Sequence, residues 1–362
     1  MTGIAVRLAL RRALNEVRYV SPVRPAGATG LVAAVYAQVE RDFGMLAPPI
    51  GLHSPAPDVL AAGWIMLRES LVASGVVSRR AKETVATVVA KANECPYCVE
   101  VHGMALGAFG LRDEAAAIGL GRVDQVSDPG TRAVAAWAEG AELPAEMSLE
   151  AVPELVGVAV TFHYLSRMSN VFLGRSPIPA GVPASVRGTA RALLGRLLRP
   201  NDAPPGASLS LLPGTASYPS PSWTVGNEVM AGAFARADAA VDAAGGRVVP
   251  PRVRTVVQRE LEVWDGHPRG MSRSWVEAIL AELPEQERSV GRLCLLTAMA
   301  SSQVDALVVE EFAGGHPGDR ELVEAASWAS LAAAKVLGTR LRVSHPVSSS
   351  VSDRERGVGD PR

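Results

Sequence analysis

Apolar residues return every three or four positions along Ala-rich segments through most of this chain, and apolar–polar alternation is nearly absent. That period gathers apolar side chains on one face of a helix and leaves little material for half-buried strands. The pattern predicts helices over Gly30–Phe43, Pro57–Ser74, Ser78–Asn93, Pro96–Gly107, Arg112–Gly119, Pro129–Ala141, Leu149–Phe172 and Ser185–Leu198. In the second half it predicts Thr224–Ala244, Pro251–Val263, Ser272–Glu282, Pro284–Ala300, Ser302–Glu311 and Asp319–Leu341. Many of these begin at Ser, Asp or Pro and end near Gly, as capped helices do. The expected fold class is all-α.

The pattern breaks between Gly174 and Trp223, where two Pro/Gly/Ser-rich stretches flank one short basic helix. We read residues 174–223 as a linker, 1–173 as a catalytic helical domain with an N-terminal arm, and 224–342 as a second helical unit. Residues 343–362, which carry SSSVSDRERGVGDPR, read as a disordered tail. The two halves look like a diverged repeat. Leu31–Gln38 resembles Val229–Arg236, Trp64 pairs with Trp264, Trp137 with Trp328, and Val77–His102 overlays on Leu283–Val308. Glu83 then falls on Ser289, Cys95 on Ser301, Cys98 on Val304 and His102 on Val308. On this reading the second repeat is degenerate, keeping the helices without the chemistry.

Composition narrows the function. The 362 residues carry 36 basic and 37 acidic side chains, so no basic excess points to nucleic acid or to an anionic membrane surface. No apolar run is long enough to span a membrane. The first twenty residues mix Arg7, Arg11, Arg12 and Glu16 into a short apolar pattern, unlike a secretory signal. A cytoplasmic location is expected. In a reducing compartment, three cysteines with a Cys-x-x-Cys spacing point to catalysis or metal binding rather than to a disulfide framework.

The pair lies in Glu94-Cys95-Pro96-Tyr97-Cys98-Val99-Glu100-Val101-His102. Pro96 suits the first position of a helix and pushes Cys95 out of the α region. Cys98 then sits in the first helical turn, where the helix dipole and unpaired N–H groups favour a thiolate. His102, four residues on, shares its face and can take the thiol proton directly or through one water. If the preceding helix folds back on this one, Glu83 lies beside His102 and can hold the imidazole. Zinc needs four ligands, and Cys95, Cys98 and His102 supply three. Haem attachment needs His directly after the second cysteine, where Val99 stands. No metal or cofactor is expected. Among the other candidates, His53 reads as loop packing, His163 as core or pocket lining, and Cys294 as a buried hydrophobe.

Glu83-x11-Cys95-x2-Cys98-x3-His102, with Asn93 before the cysteines and a Gly near the end of the next helix, resembles the alkylhydroperoxidase D-like branch of the carboxymuconolactone decarboxylase family. The specific likeness runs from about Trp64 to Trp137. Tyr19–Arg24 and Phe162–Met168 resemble longer two-repeat members more loosely. The resemblance implies a helical bundle and a thiol peroxidase or disulfide-reductase cycle. Cys98 would attack a hydroperoxide, Cys95 would protonate the leaving group and resolve the sulfenic acid to a disulfide, and Glu83 and His102 would relay the proton. It also implies a lipoyl- or thioredoxin-type dithiol reductant as partner, and a two-repeat chain can still pair into a homo-oligomer. Peroxidase members place a second His between the cysteines, where this chain has Tyr97. Two other readings remain: lactone or carboxylate chemistry with His102 and Glu83 as acid and base, and a non-catalytic helical interaction module.

Overall fold

The computed structural model describes residues 13–178, 184–197, 203–214, 218–341 and 343, so the stretch from 344 read as a disordered tail lies outside the described residues. The described residues form an all-helical bundle without strands. In the first half α1 is Gly30–Gln38, α2 Pro48–Gly51, α3 Pro57–Leu67, α4 Arg79–Ala92, α5 Pro96–Ala108, α6 Arg112–Gly119, α7 Pro129–Ala138 and α8 Val152–Phe172. Helix α9 is Ala184–Leu197. The second half holds α10 Glu228–Val248, α11 Pro251–Val263, α12 Ser274–Leu280, α13 Arg288–Met299, α14 Ala306–Ala313 and α15 Asp319–Arg340.

Several segments read as one helix change geometry part-way. Gly30–Phe43 runs as α1 and then widens into a π turn over Val39–Phe43; α3 does the same over Arg68–Val72. Arg68 and Asp42, one in each widened turn, explain the departure. They are buried against each other, Arg68 Nε to Asp42 Oδ2 at 2.7 Å, and the π register brings both inward. Glu69 is buried beside them. It accepts from Arg68 Nη1 at 2.7 Å and from the backbone of Gly206 and Ser208 at 2.7 and 3.1 Å. Residues 203–214, inside the stretch read as linker, are therefore tied into the first half by charge-assisted hydrogen bonds.

Helix α8 is the axis of the molecule, and every residue in it except Asn170 is buried. Helix α15 packs along it closely enough that a Cβ on Gly338 would come within 2.4 Å of Val160. Helices α4 and α5 form a hairpin, with α4 lying against α8 and α9 resting on α5. Helix α10 packs on α3 and α15, and one apolar core runs continuously through both halves. A smaller core under α4, α5 and α6 centres on Val88, Leu106 and Ile118.

Gly245, where α10 crosses α15, carries a packing prediction. A Cβ there would meet Trp328 Cβ, Cγ and Cδ1 at 2.7, 2.5 and 2.4 Å. Gly245→Ala gains about 1 kcal/mol of helix propensity. It loses about 1–3 kcal/mol by displacing a packed indole. The clash is with the root of the side chain, so it should win. Chemical denaturation should show a lower midpoint for Gly245→Ala; an equal or higher midpoint would contradict this close crossing.

Candidate functional site

The junction of α4 and α5 is built by two overlapping caps. Helix α4 ends at Ala92, and Glu94 takes the left-handed conformation (φ +52°). The Glu94 N–H then donates to Lys91 O and the Cys95 N–H to Ala90 O, both at 3.0 Å, the hydrogen bonds of a Schellman ending. That position usually belongs to Gly; a residue with a Cβ there costs on the order of 1 kcal/mol. Cys95 closes α4 and also caps α5. Its backbone is extended (φ −100°, ψ 91°), Pro96 opens the helix, and the Cys98 N–H donates to Cys95 Sγ at 3.3 Å.

Helix α8 grips this junction from behind. Arg167 Nη1 donates to Asn93 Oδ1, and Asn170 Nδ2 donates to the Asn93 carbonyl at 2.9 Å. Asn93 Nδ2 is 3.0 Å from His163 Nδ1, and burial keeps His163 neutral far below its ordinary range. His163 thus sits behind the cysteine turn, outside the cavity that Cys98 faces. The second half joins in: Arg167 Nε donates to Ala298 O at 2.8 Å, Asn170 Nδ2 to Ser301 Oγ at 3.0 Å, and Ser302 Oγ to Glu94 Oε2 at 3.1 Å.

The hairpin brings together the four residues that the sequence singled out. His102 Nδ1 lies 2.6 Å from Glu83 Oε2, with both side chains buried. Arg79, one turn before Glu83, donates to the other carboxylate oxygen at 2.8 Å. Burial pushes the Glu83 carboxyl up, but the charges and hydrogen bonds of Arg79 and His102 outweigh it and hold Glu83 ionised. The Phe162 ring meets His102 edge-on, centroids 4.3 Å apart, and fixes its plane. With Nδ1 donating to Glu83, Nε2 is the nitrogen that can take up a proton.

All three cysteines are free and buried, but their environments differ. Burial raises Cys98 as well, yet the hydrogen bond from Cys95, the charge of His102 and the hydroxyls of Ser169 and Ser166 outweigh it and pull the thiol down to about 7. Cys95 moves the other way, raised by burial and by donating a hydrogen bond to the Cys98 sulfur. Cys294 is pushed up to about 12 by burial alone and is inert. The pair is asymmetric, with one sulfur poised as the anion and its neighbour holding a proton.

Cys98 and His102 open onto an apolar cavity. Phe43, Ile50, Leu71, Phe162 and Leu165 supply much of the wall. Tyr97 completes it as a neutral phenol, since burial raises its proton affinity further. The cavity and the roles of Ser166 and Ser169 escaped the sequence reading because they join distant parts of the chain. Among the described residues no helix is long and apolar enough to cross a membrane, and no group of three or more His, Cys, Asp or Glu could hold a metal.

Residues 58–140 match the family model described as "Carboxymuconolactone decarboxylase family". A Mycobacterium tuberculosis (strain ATCC 25618 / H37Rv) protein named alkyl hydroperoxide reductase is 37% identical over 332 residues, covering 90% of this chain and 95% of the relative. No solved structure matches the chain.

The site's electrostatics carry a pH prediction. Because its proton affinity is lowered, the Cys98 thiol should already be half ionised near neutral pH, with the anion growing as pH rises. Alkylation resolved by peptide mass spectrometry should show Cys98 reactivity rising through about pH 7, and Cys294 modified only on unfolding. Glu83→Gln removes the anion that stabilises the imidazolium and should move the Cys98 midpoint upward. An unchanged midpoint would break the link between Glu83 and the thiol.

Proposed function

Since this chain belongs to the carboxymuconolactone decarboxylase family, we propose that it is a thiol-dependent hydroperoxidase whose chemistry is carried by Cys95, Cys98, His102 and Glu83. The observation that supports this most is the asymmetric dithiol, in which Cys98 ionises near neutral pH and lines an apolar cavity while Cys95 keeps its proton. The relative's name points to the same activity.

The cycle runs as follows. His102 Nε2 takes the Cys98 proton, and Glu83 stabilises the imidazolium. The Cys98 thiolate attacks the terminal oxygen of the hydroperoxide. The S–O bond forms, the O–O bond breaks, and the departing alkoxide takes the Cys95 proton and leaves as the alcohol. The Cys95 thiolate then attacks the Cys98 sulfenic acid. The disulfide forms, and hydroxide leaves as water with the proton held on His102. Two thiols and one hydroperoxide have become a disulfide, an alcohol and water. A lipoyl- or thioredoxin-type dithiol then reduces the disulfide by exchange and closes the cycle. The cavity suits an organic hydroperoxide, with its carbon part against Phe43, Ile50 and Leu71. In this reading the second half, which has Ser, Ser, Val and Val where the first has Glu, Cys, Cys and His, supplies packing for α8 and an anchor for the cysteine turn.

Purified protein given an organic hydroperoxide and a dithiol reductant should consume the peroxide. Cys98→Ser should abolish consumption, and Cys95→Ser should trap a sulfenic acid or mixed disulfide at Cys98. Full turnover by Cys98→Ser would overturn the assignment. Activity on a lactone or carboxylate that survives loss of both thiols would favour acid–base chemistry by His102 and Glu83.

A further inference from the structure

We propose that Ser166 and Ser169 belong to the reacting centre, where their hydroxyls hold the Cys98 sulfur in its anionic form. This deepens the peroxidase reading and rests on it for its catalytic meaning. The first argument is helical register. Phe162, Leu165, Ser166 and Ser169 stand at i, i+3, i+4 and i+7 on α8 and share one face. Phe162 on that face touches His102, and Leu165 lines the cavity beside Cys98. The two serines are therefore presented to the same place.

The second argument is hydrogen-bond accounting. Both serines are buried, with 0% and 1% of their surface exposed, and neither hydroxyl has a hydrogen-bond partner among the described residues, sulfur acceptors included. Leaving a buried hydroxyl unpaired costs about 1–3 kcal/mol. Helical Ser and Thr commonly avoid that cost by bonding the carbonyl one turn back. Ser70 does so with Met66 O at 2.7 Å and Thr87 with Glu83 O at 2.8 Å. Ser166 and Ser169 do not. The group beside them that can take up these donors is the Cys98 sulfur once it ionises, because a thiolate accepts far better than a thiol. Cys294 provides the contrast: no hydroxyl supports it, and burial alone sets its proton affinity.

The other groups around Cys98 do not replace this role. From α5 come Cys95, which donates to the same sulfur, Tyr97, which stays neutral, and His102, which supplies charge. Glu83 and Arg79 on α4 act through His102. Glu100 is turned to Ser176 and Arg191, and on α8 His163 and Arg167 are engaged with Asn93. Only the two serines bring uncharged donors to the sulfur from the opposite wall.

The test is a titration of thiolate ultraviolet absorbance across neutral pH, with Cys98→Ser as the blank. It compares the full-length protein with Ser166→Ala, Ser169→Ala and the double variant. Each change removes a single oxygen, and circular dichroism checks the fold. The double variant should raise the Cys98 midpoint by about one unit. Its thiolate fraction at pH 7, and with it the rate of sulfenic acid formation, should fall about fivefold. A folded double variant that titrates like the wild type overturns the proposal. A shifted midpoint in a protein that consumes no hydroperoxide upholds the serines' role and overturns the peroxidase reading instead.

Discussion

Glu83, buried in the α4–α5 hairpin, carries a negative charge where water cannot solvate it. Burying a carboxylate costs several kcal/mol unless it is paired and hydrogen-bonded. Here one oxygen faces His102 at 2.6 Å and the other Arg79 at 2.8 Å. The pairing does more than offset desolvation. It fixes which imidazole nitrogen is free, sets positive charge next to Cys98, and requires α4 and α5 to lie in one register. A shift of one residue in either helix would turn the carboxylate or the imidazole away and leave a buried charge alone.

The turn that joins the two helices serves the same geometry. Glu94 in a left-handed conformation costs about 1 kcal/mol that Gly would not. Arg167, Asn170 and His163 on α8 hold Asn93, and Ser301 and Ser302 in the second half hold Asn170 and Glu94. A strained residue fixed from several directions beside a reactive group is a common way for a fold to hold a site in place. The second half, which lacks the reactive residues, thus acts on the site through the backbone on which Cys95 sits.

The legible parts of the sequence were those set by local rules. Pro96 after Cys95 marks a helix start, and four-residue spacing puts His102 with Cys98, so the dithiol's surroundings could be read from nine consecutive residues. The all-α class followed from periodicity alone. Glu83 needed the hairpin as well, because only a fold-back brings residues nineteen apart into contact. Arg79 stands one turn from Glu83 in the sequence, but nothing there says that the carboxylate it pairs with is buried. Ser166 and Ser169 were out of reach, since small hydroxyls in an apolar helix carry no signal until α8 is placed against α5. The π turns at Val39–Phe43 and Arg68–Val72 were hidden for a similar reason: Asp42 and Arg68 lie 26 residues apart and set each other's register only once paired.

The proposed cycle turns on Cys98, which lines the apolar cavity, and Cys95 behind it acting as one two-electron centre. A single-turnover experiment reads this most directly: reduced protein, one equivalent of an organic hydroperoxide, no external reductant, and quantification of both the alcohol and the cysteine-containing peptides. The account predicts one alcohol per chain, a Cys95–Cys98 disulfide and an unmodified Cys294. Alcohol formed with both thiols intact, or a peroxide left unreduced by fully reduced and folded protein, would contradict it.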